Sequence, residues 1–249
     1  MKKILFIGAV LSTIFLSAQT QLVAHRGFWK TNPNTAQNSI ESLKNAQKLK
    51  VYGSELDVRM SKGGVLVVNH DEHINGVEVS ETLFKDLKIE KLSNGEQIPT
   101  FESYLKQGKK SKIVKLIVEL KPAKNPELEN ELVAKALKMV SDKKMQNRVE
   151  YISFSLNICK EIKKKNPKAI VQYLAGDQSP SEIKNLGIDG IDYHFNVFLE
   201  KQPTWLEEAK NLGLITNVWT VNDVAVYQKL VEMGVGFVTT DIPNELLKY

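Results

Sequence analysis

The sequence predicts an α/β protein folded as a closed (β/α)8 TIM barrel with a small insertion after the second strand. Three observations carry that expectation. Short β-branched runs alternate with amphipathic helical patterns almost to the C-terminus, which implies a parallel sheet covered by helices. Eight main strands can be counted in about 230 residues, a length at which α/β barrels commonly form one domain. Polar, chemistry-bearing residues fall at the ends of successive apolar runs, where such a barrel gathers its active site. An open doubly wound sheet is the competing arrangement of the same units.

Residues 1–18 have the pattern of a secretory signal peptide: basic Lys2 and Lys3, an apolar stretch from Ile4 to Leu16, then small Ser17-Ala18. Cleavage is expected near Ala18–Gln19, leaving one domain over 19–249, exported to the periplasm or the medium. The apolar run falls short of the roughly 20 residues that span a bilayer, so no stable membrane anchor is expected; an uncleaved N-terminal anchor is the alternative. No cysteine follows the run, which excludes a lipoprotein anchor there.

The strand candidates are Leu22–His25, Ser54–Val58, Val65–Asn69, Leu116–Leu120, Val149–Phe154, Ile170–Leu174, Gly190–Tyr193, Ile215–Thr220 and Gly236–Thr239. The third is read as a hairpin partner of the second across Lys62-Gly63-Gly64, so it stands outside the eight. Helical periodicity runs from Asn38 to Lys50, through Leu128, Leu132, Ala136 and Val140, and over Pro203–Leu212 and Asp223–Met233. Gly187, Gly213 and Gly234 follow such segments, where a left-handed C-terminal cap is wanted. The stretch of about 72–99 is polar, with turn signals at Asn75-Gly76 and Asn94-Gly95, and reads as an excursion from the barrel. The basic run Lys160–Lys168 reads as a solvated helix face, with a polyanion-binding patch as the alternative.

Composition narrows the function classes. Net charge is +5; without Lys2 and Lys3 it is 32 basic against 29 acidic residues, too mild a balance to argue for nucleic acid. Cys159 is the only cysteine, so there is no intrachain disulfide and no Cys-based zinc cluster. It reads as a small buried hydrophobe on a helix.

Strand one ends in His25-Arg26-Gly27, strand two in Glu55-Leu56-Asp57, its hairpin partner in His70-Asp71 and strand three in Glu119-Leu120-Lys121. Glu55 and Asp57, two apart on a strand, point to one side. Two carboxylates so close repel unless a cation or proton sits between them. With Glu119 from the next strand they would form a three-oxygen site suited to Mg²⁺ or Ca²⁺; solvent-facing acids on an edge strand are the alternative. His25 and His70 titrate in the range useful for proton transfer. Arg26 and Lys121 can bind phosphate oxygens, one as a fork and one as a point charge. Taken singly, each of these residues also reads as a structural histidine or an ordinary salt-bridge partner.

Taken in order, Val23-Ala24-His25-Arg26-Gly27, Glu55-Leu56-Asp57-Val58, Val67-Val68-Asn69-His70-Asp71, Val118-Glu119-Leu120-Lys121, Val218-Trp219-Thr220-Val221-Asn222 and Thr239-Thr240-Asp241-Ile242-Pro243 resemble the glycerophosphodiester phosphodiesterase family. The resemblance implies a (β/α)8 barrel that cleaves small-molecule glycerophosphodiesters to glycerol 3-phosphate and an alcohol with Ca²⁺ or Mg²⁺. It implies His25 and His70 as the acid–base pair, Glu55, Asp57 and Glu119 as metal ligands, and Arg26 and Lys121 as phosphate contacts. The excursion falls where the family carries an insertion that shapes the substrate pocket. Trp219 becomes an apolar wall at the mouth, or ordinary packing. One position departs: where the family has Pro-Glu-Asn-Thr, this chain has Ala36-Gln37-Asn38-Ser39. Neutral Gln37 replaces an acid, which leaves the reaction class standing and the head group open. The alternatives are phospholipase D-like or lyase action on a lipid phosphodiester, and a binding barrel without catalysis.

Overall fold

The structure, a computed structural model, describes residues 19–31, 33 and 35–249. The expected signal peptide, 1–18, lies outside the described residues. The chain runs β1 (Gln21–Ala24), α1 (Ile40–Leu49), β2 (Gly53–Met60), β3 (Leu66–Val68), β4 (His73–Ile74), β5 (Val77–Glu78), α2 (Phe84–Leu87), α3 (Phe101–Gly108), β6 (Lys115–Leu120) and α4 (Pro126–Asp142). It continues through β7 (Val149–Ser153), α5 (Leu156–Lys165), β8 (Val171–Tyr173), α6 (Pro180–Asn185), β9 (Gly190–His194), α7 (Trp205–Asn211), β10 (Ile215–Trp219), α8 (Val224–Glu232), β11 (Phe237–Thr240) and α9 (Pro243–Leu246).

Closure is set at β1, which pairs in parallel with both β11 and β2. The ring is therefore β1-β2-β6-β7-β8-β9-β10-β11, eight parallel strands. An open sheet is excluded. β3 lies outside the ring, antiparallel to β2, with Val58 opposite Val68 and Met60 opposite Leu66. That hairpin carries β2 two residues past the end expected at Val58.

Alternation along each strand sorts the core. Leu22, Ala24, Leu56, Val58, Val118 and Leu120 face outward beneath the helices, while Val23, Ile117, Ile152 and Leu174 fill the barrel interior. Helix starts are fixed by side chains that accept from orphan backbone N–H groups: Ser39 for α1, Thr100 for α3, Asn125 for α4, Ser155 for α5, Ser179 for α6 and Asp223 for α8, each worth about 1 kcal/mol. Gly187, Gly213 and Gly234 adopt φ of +70°, +67° and +77° behind their helices, as their positions in the sequence predict. Cys159 is fully buried on α5 and unpaired, its thiol pushed up to about 12 by burial.

β4, β5 and α2 form a small excursion with its own core of Val67, Ile74, Val79, Leu87 and Ile98. Among the described residues no helix is long and apolar enough to cross a membrane.

Candidate active site

The His25-Arg26-Gly27 triplet is a forced turn at the end of β1. His25 N–H still donates to Thr240 O at 2.9 Å; the next two residues then reverse the chain with φ of +54° and +79°. A Cβ on Gly27 would lie 2.7 Å from the Ser42 carbonyl carbon in α1, so only glycine fits the conformation and the space. The turn presents the Arg26 N–H, which donates to Glu55 Oε2 at 2.7 Å.

Glu55 and Asp57 point into the barrel mouth from β2, and Glu119 stands beside Asp57 in register on β6. One oxygen from each lies within 4.8 Å of the others, and the three residues are 3%, 1% and 6% exposed. These are buried carboxylates, not acids on an edge strand. The Lys121 ammonium sits 2.9 Å from Asp57 Oδ1 and 2.8 Å from Glu119 Oε1. Arg26 Nε lies 3.5 Å from Asp57 Oδ2, and its Nη1 donates to Gln37 Oε1 at 2.6 Å. Gln37 thus keeps a hydrogen bond to the guanidinium without a charge. Asn38 Nδ2 donates to Asp57 Oδ2 at 2.7 Å, and its Oδ1 accepts from the Asp57 N–H at 3.2 Å. Those two bonds account for its φ of +58° and for α1 starting after Ser39 and not at Asn38.

The charges do not balance evenly. Burial would raise the Asp57 carboxyl, but Lys121, His70 and Arg26 outweigh it and hold the group below the usual range. Burial, then the Asp57 charge, pushes Glu119 up to about 7. Burial and the Asp57 and Glu119 charges raise Glu55 well above an ordinary carboxyl. Glu55 Oε1 is buried with no hydrogen-bond partner among the described residues. Three converging hard oxygen donors, one of them orphaned, fit a divalent cation of the Mg²⁺ or Ca²⁺ type.

Both histidines are oriented through Nδ1. His25 Nδ1 meets Asp241 Oδ1 at 2.7 Å. Asp241 in turn accepts from Asn222 Nδ2 at 2.7 Å and gives its backbone N–H to Asn222 Oδ1 at 2.9 Å. Burial tends to raise the Asp241 carboxyl, but the His25 hydrogen bond and charge lower it to about 2. His70 Nδ1 meets the exposed Asp71 Oδ1 at 2.7 Å, and Arg59 Nε donates to His70 O at 2.9 Å. Burial lowers His70, against the opposing pull of Asp57. A proton on Nδ1 facing a carboxylate leaves Nε2 as the exchanging nitrogen in each ring.

These groups line a cavity of about 110 Å³ at the C-terminal end of the barrel. His25, Arg26, Glu55, His70, Glu119 and Lys121 line it together with apolar Ile152, Phe154, Leu174 and Trp219. Trp219 is both wall and packing: its indole N–H donates to Asp192 O at 3.0 Å, and its ring meets Phe154 edge-on at 5.6 Å. Every residue singled out in the sequence reaches this site, with Asp57 beneath the lining. Among the described residues none of the lining comes from 72–99, so the excursion bears on the pocket through β3 and the following His70. Sequence reasoning missed Asn38, Asn222, Asp241 and Asp192. The first three lie inside the quoted motifs, but each works through a partner far along the chain, which no local signal marks.

Fold and site together define a phosphodiester-cleaving barrel enzyme. Residues 25–245 match the model of the Glycerophosphoryl diester phosphodiesterase family, and the chain belongs to that family; it is a phosphoric diester hydrolase. Among its relatives is a glycerophosphodiester phosphodiesterase of Caldanaerobacter subterraneus, 28% identical, with 92% of this chain and 97% of that one covered. A solved glycerophosphodiester phosphodiesterase from Parabacteroides distasonis is 44% identical at a TM-score of 0.91, covering 93% of this chain and 97% of the other. A phosphodiesterase from Oleispira antarctica, solved in complex with the product sn-glycerol-3-phosphate, shares the fold at 23% identity and a TM-score of 0.78, over 92% of this chain and 96% of that one.

Proposed function

We propose that this enzyme hydrolyses glycerophosphodiesters to glycerol 3-phosphate and an alcohol, using a divalent cation held by Glu55, Asp57 and Glu119. The observation that carries the reading is the buried three-carboxylate cluster sharing one cavity with two imidazoles whose Nδ1 atoms are already committed. The relatives' names support the substrate class.

When bound, the cation supplies positive charge at the phosphate oxygens. Arg26 and Lys121 add fixed charge on the same side, so the phosphate binds where the carboxylates would otherwise repel it. One imidazole takes the proton from the attacking oxygen as the new P–O bond forms. The other delivers a proton to the leaving alkoxide as the old P–O bond breaks. Asp241 keeps His25 in the tautomer and orientation this requires, and Asp71 does the same for His70 less firmly because it is 79% exposed. Asn38 prevents Asp57 from turning away from the cluster. Phe154 and Trp219 offer the organic part of the substrate an apolar face.

Purified protein is expected to release glycerol 3-phosphate from glycerophosphocholine, with activity lost on chelation and restored by Ca²⁺ or Mg²⁺. No hydrolysis across a panel of diesters with Ca²⁺, Mg²⁺ or Mn²⁺ supplied overturns the reading. The chain is further proposed to act outside the cytoplasm after loss of residues 1–18; an intact mass corresponding to a chain starting at Gln19 tests that.

A further inference from the structure

We propose that Asp192, a residue with no part in the chemistry above, recognises a hydroxyl group of the glycerol moiety and so sets the enzyme's preference for polyol phosphates. The proposal rests on the glycerophosphodiester reading and deepens it. Round the ring, β9 stands four strands from β2, directly across the mouth from Glu55. A phosphate drawn to the β2 and β6 side therefore projects its ester chain toward the β9 wall. Asp192 lines the cavity on that wall and is 1% exposed.

Its two carboxyl oxygens have different surroundings. Oδ2 accepts from Asn217 Nδ2 at 3.1 Å, and Asn217 is itself fixed through its Oδ1, which accepts from the Val218 N–H at 2.8 Å. The Asp192 backbone is held by Trp219 Nε1 at 3.0 Å. Oδ1 is buried with no hydrogen-bond partner among the described residues. A buried acceptor without a donor costs free energy, and an occupant of the cavity that Asp192 lines can supply that donor. A second cation is a poor candidate, because the metal-capable cluster among the described residues comprises Glu55, Asp57 and Glu119 without Asp192. A substrate hydroxyl fits: it brings a donor without another full charge to desolvate. A carboxyl oxygen accepts that bond whether or not the carboxyl is protonated.

The test compares two monoesters of equal chain length, sn-glycerol 3-phosphate and n-propyl phosphate, which lacks both hydroxyls. Titration calorimetry with Ca²⁺-loaded protein should show the wild type preferring glycerol phosphate by about tenfold to a hundredfold. Asp192→Leu should bring that ratio close to one, and Asp192→Asn, whose amide pairs with Asn217 through its oxygen and can still hydrogen-bond a hydroxyl through its NH2, should restore part of it. Asp192→Leu removes the unsatisfied Oδ1 but also the acceptor of Asn217 Nδ2, so a modest fall in melting temperature is expected, and a single cooperative transition confirms that the binding comparison is made on folded protein. A preference that survives Asp192→Leu, or its absence in the wild type, overturns the assignment. The two readings fail separately. If wild-type protein cleaves glycerophosphocholine and Asp192→Leu keeps its preference, only the role of Asp192 falls; if no glycerophosphodiester is cleaved, the proposed function falls and takes that role with it.

Discussion

The barrel interior contains two clusters of buried charge, one near each end, and they are built on opposite plans. Near the N-terminal ends of the strands, Glu150 Oε1 accepts from Tyr52 Oη and from Lys115 Nζ, each at 2.5 Å, and Lys115 also reaches Tyr52 Oη at 3.0 Å. One acid meets one cation and one phenol, and the ammonium lies 5.0 Å from the Tyr52 ring centroid. At the C-terminal ends, three carboxylates share Lys121 and Arg26, one oxygen is orphaned, and Glu119 is pushed up to about 7. The first cluster is complete in itself and serves stability. The second is complete only with a ligand, which is how a functional site departs from the local rules the rest of a fold obeys.

The sharpest contrast should come from single substitutions at each end. His70→Ala, at the mouth, is expected to lower kcat by about 10²–10⁴-fold, the usual contribution of a general acid or base. Its unfolding midpoint should barely move, because the side chain is 38% exposed and its Asp71 partner 79% exposed. A large drop in melting temperature would make His70 structural and blur the distinction between the ends.

Glu150→Ala is the reverse experiment. It leaves the Lys115 ammonium without its acid, a loss of about 3 kcal/mol, the low end for breaking a buried pair, since Lys115 is 28% exposed and hydrates in part. Urea unfolding should show it, with kcat/KM for the best substrate changed less than threefold. An activity loss as deep as that of His70→Ala would mean the two ends are coupled.

How far the sequence revealed these clusters follows from what holds them. Glu55 and Asp57 are legible because strand alternation alone puts both on one face, and the His25-Arg26-Gly27 triplet because it ends an apolar run, where a barrel gathers its site. Asn38, Asp241 and Asn222 are not, since each acts through a contact 19 residues or more along the chain. Asp192 sits between apolar Ile191 and Tyr193 and looks like any inward position of a strand until closure places β9 across from β2. Tyr52, Lys115 and Glu150 lie at strand starts, where nothing in the sequence marks a network. Alternation is local and shows in the sequence; ring closure is not.

Glu55→Gln tests the claim that the mouth is unfinished without a cation. The amide oxygen can still accept from the Arg26 N–H, while one repelling charge is gone. Metal affinity should fall by about tenfold or more, since groups that touch the ion matter at least as much as those that only orient them, with activity partly recovered in excess metal. Metal-free protein should be no less stable than the wild type. If added metal alters neither the activity nor the melting of either protein, the cluster is not a metal site.

The smallest expected effect is also the most direct measure of the strain at the mouth. A carboxyl whose folded pKa lies above its unfolded value binds more protons folded than unfolded, so stability falls as pH rises between the two. For Glu119 that window runs from 4.5 to about 7, and Glu55 is shifted in the same direction. Asp57 is shifted the other way, and its contribution is fully present above the unfolded value of 3.8, so it does not flatten this window. His70 and His194, lowered from 6.5 by burial, push the other way over part of this range, so metal-free wild-type protein should lose about 1 kcal/mol between pH 5 and pH 7.5, a drop of a few degrees in melting temperature for a chain of this size. Saturating Ca²⁺ should remove the slope by giving the carboxylates a counter-charge, and Glu55→Gln should reduce it without metal. Glu150→Ala should leave the slope as it is, because the network it breaks holds none of the three mouth carboxylates. A metal-free protein whose melting is flat across this range would mean that Lys121 and Arg26 already balance the mouth, and the contrast between the two ends would fail.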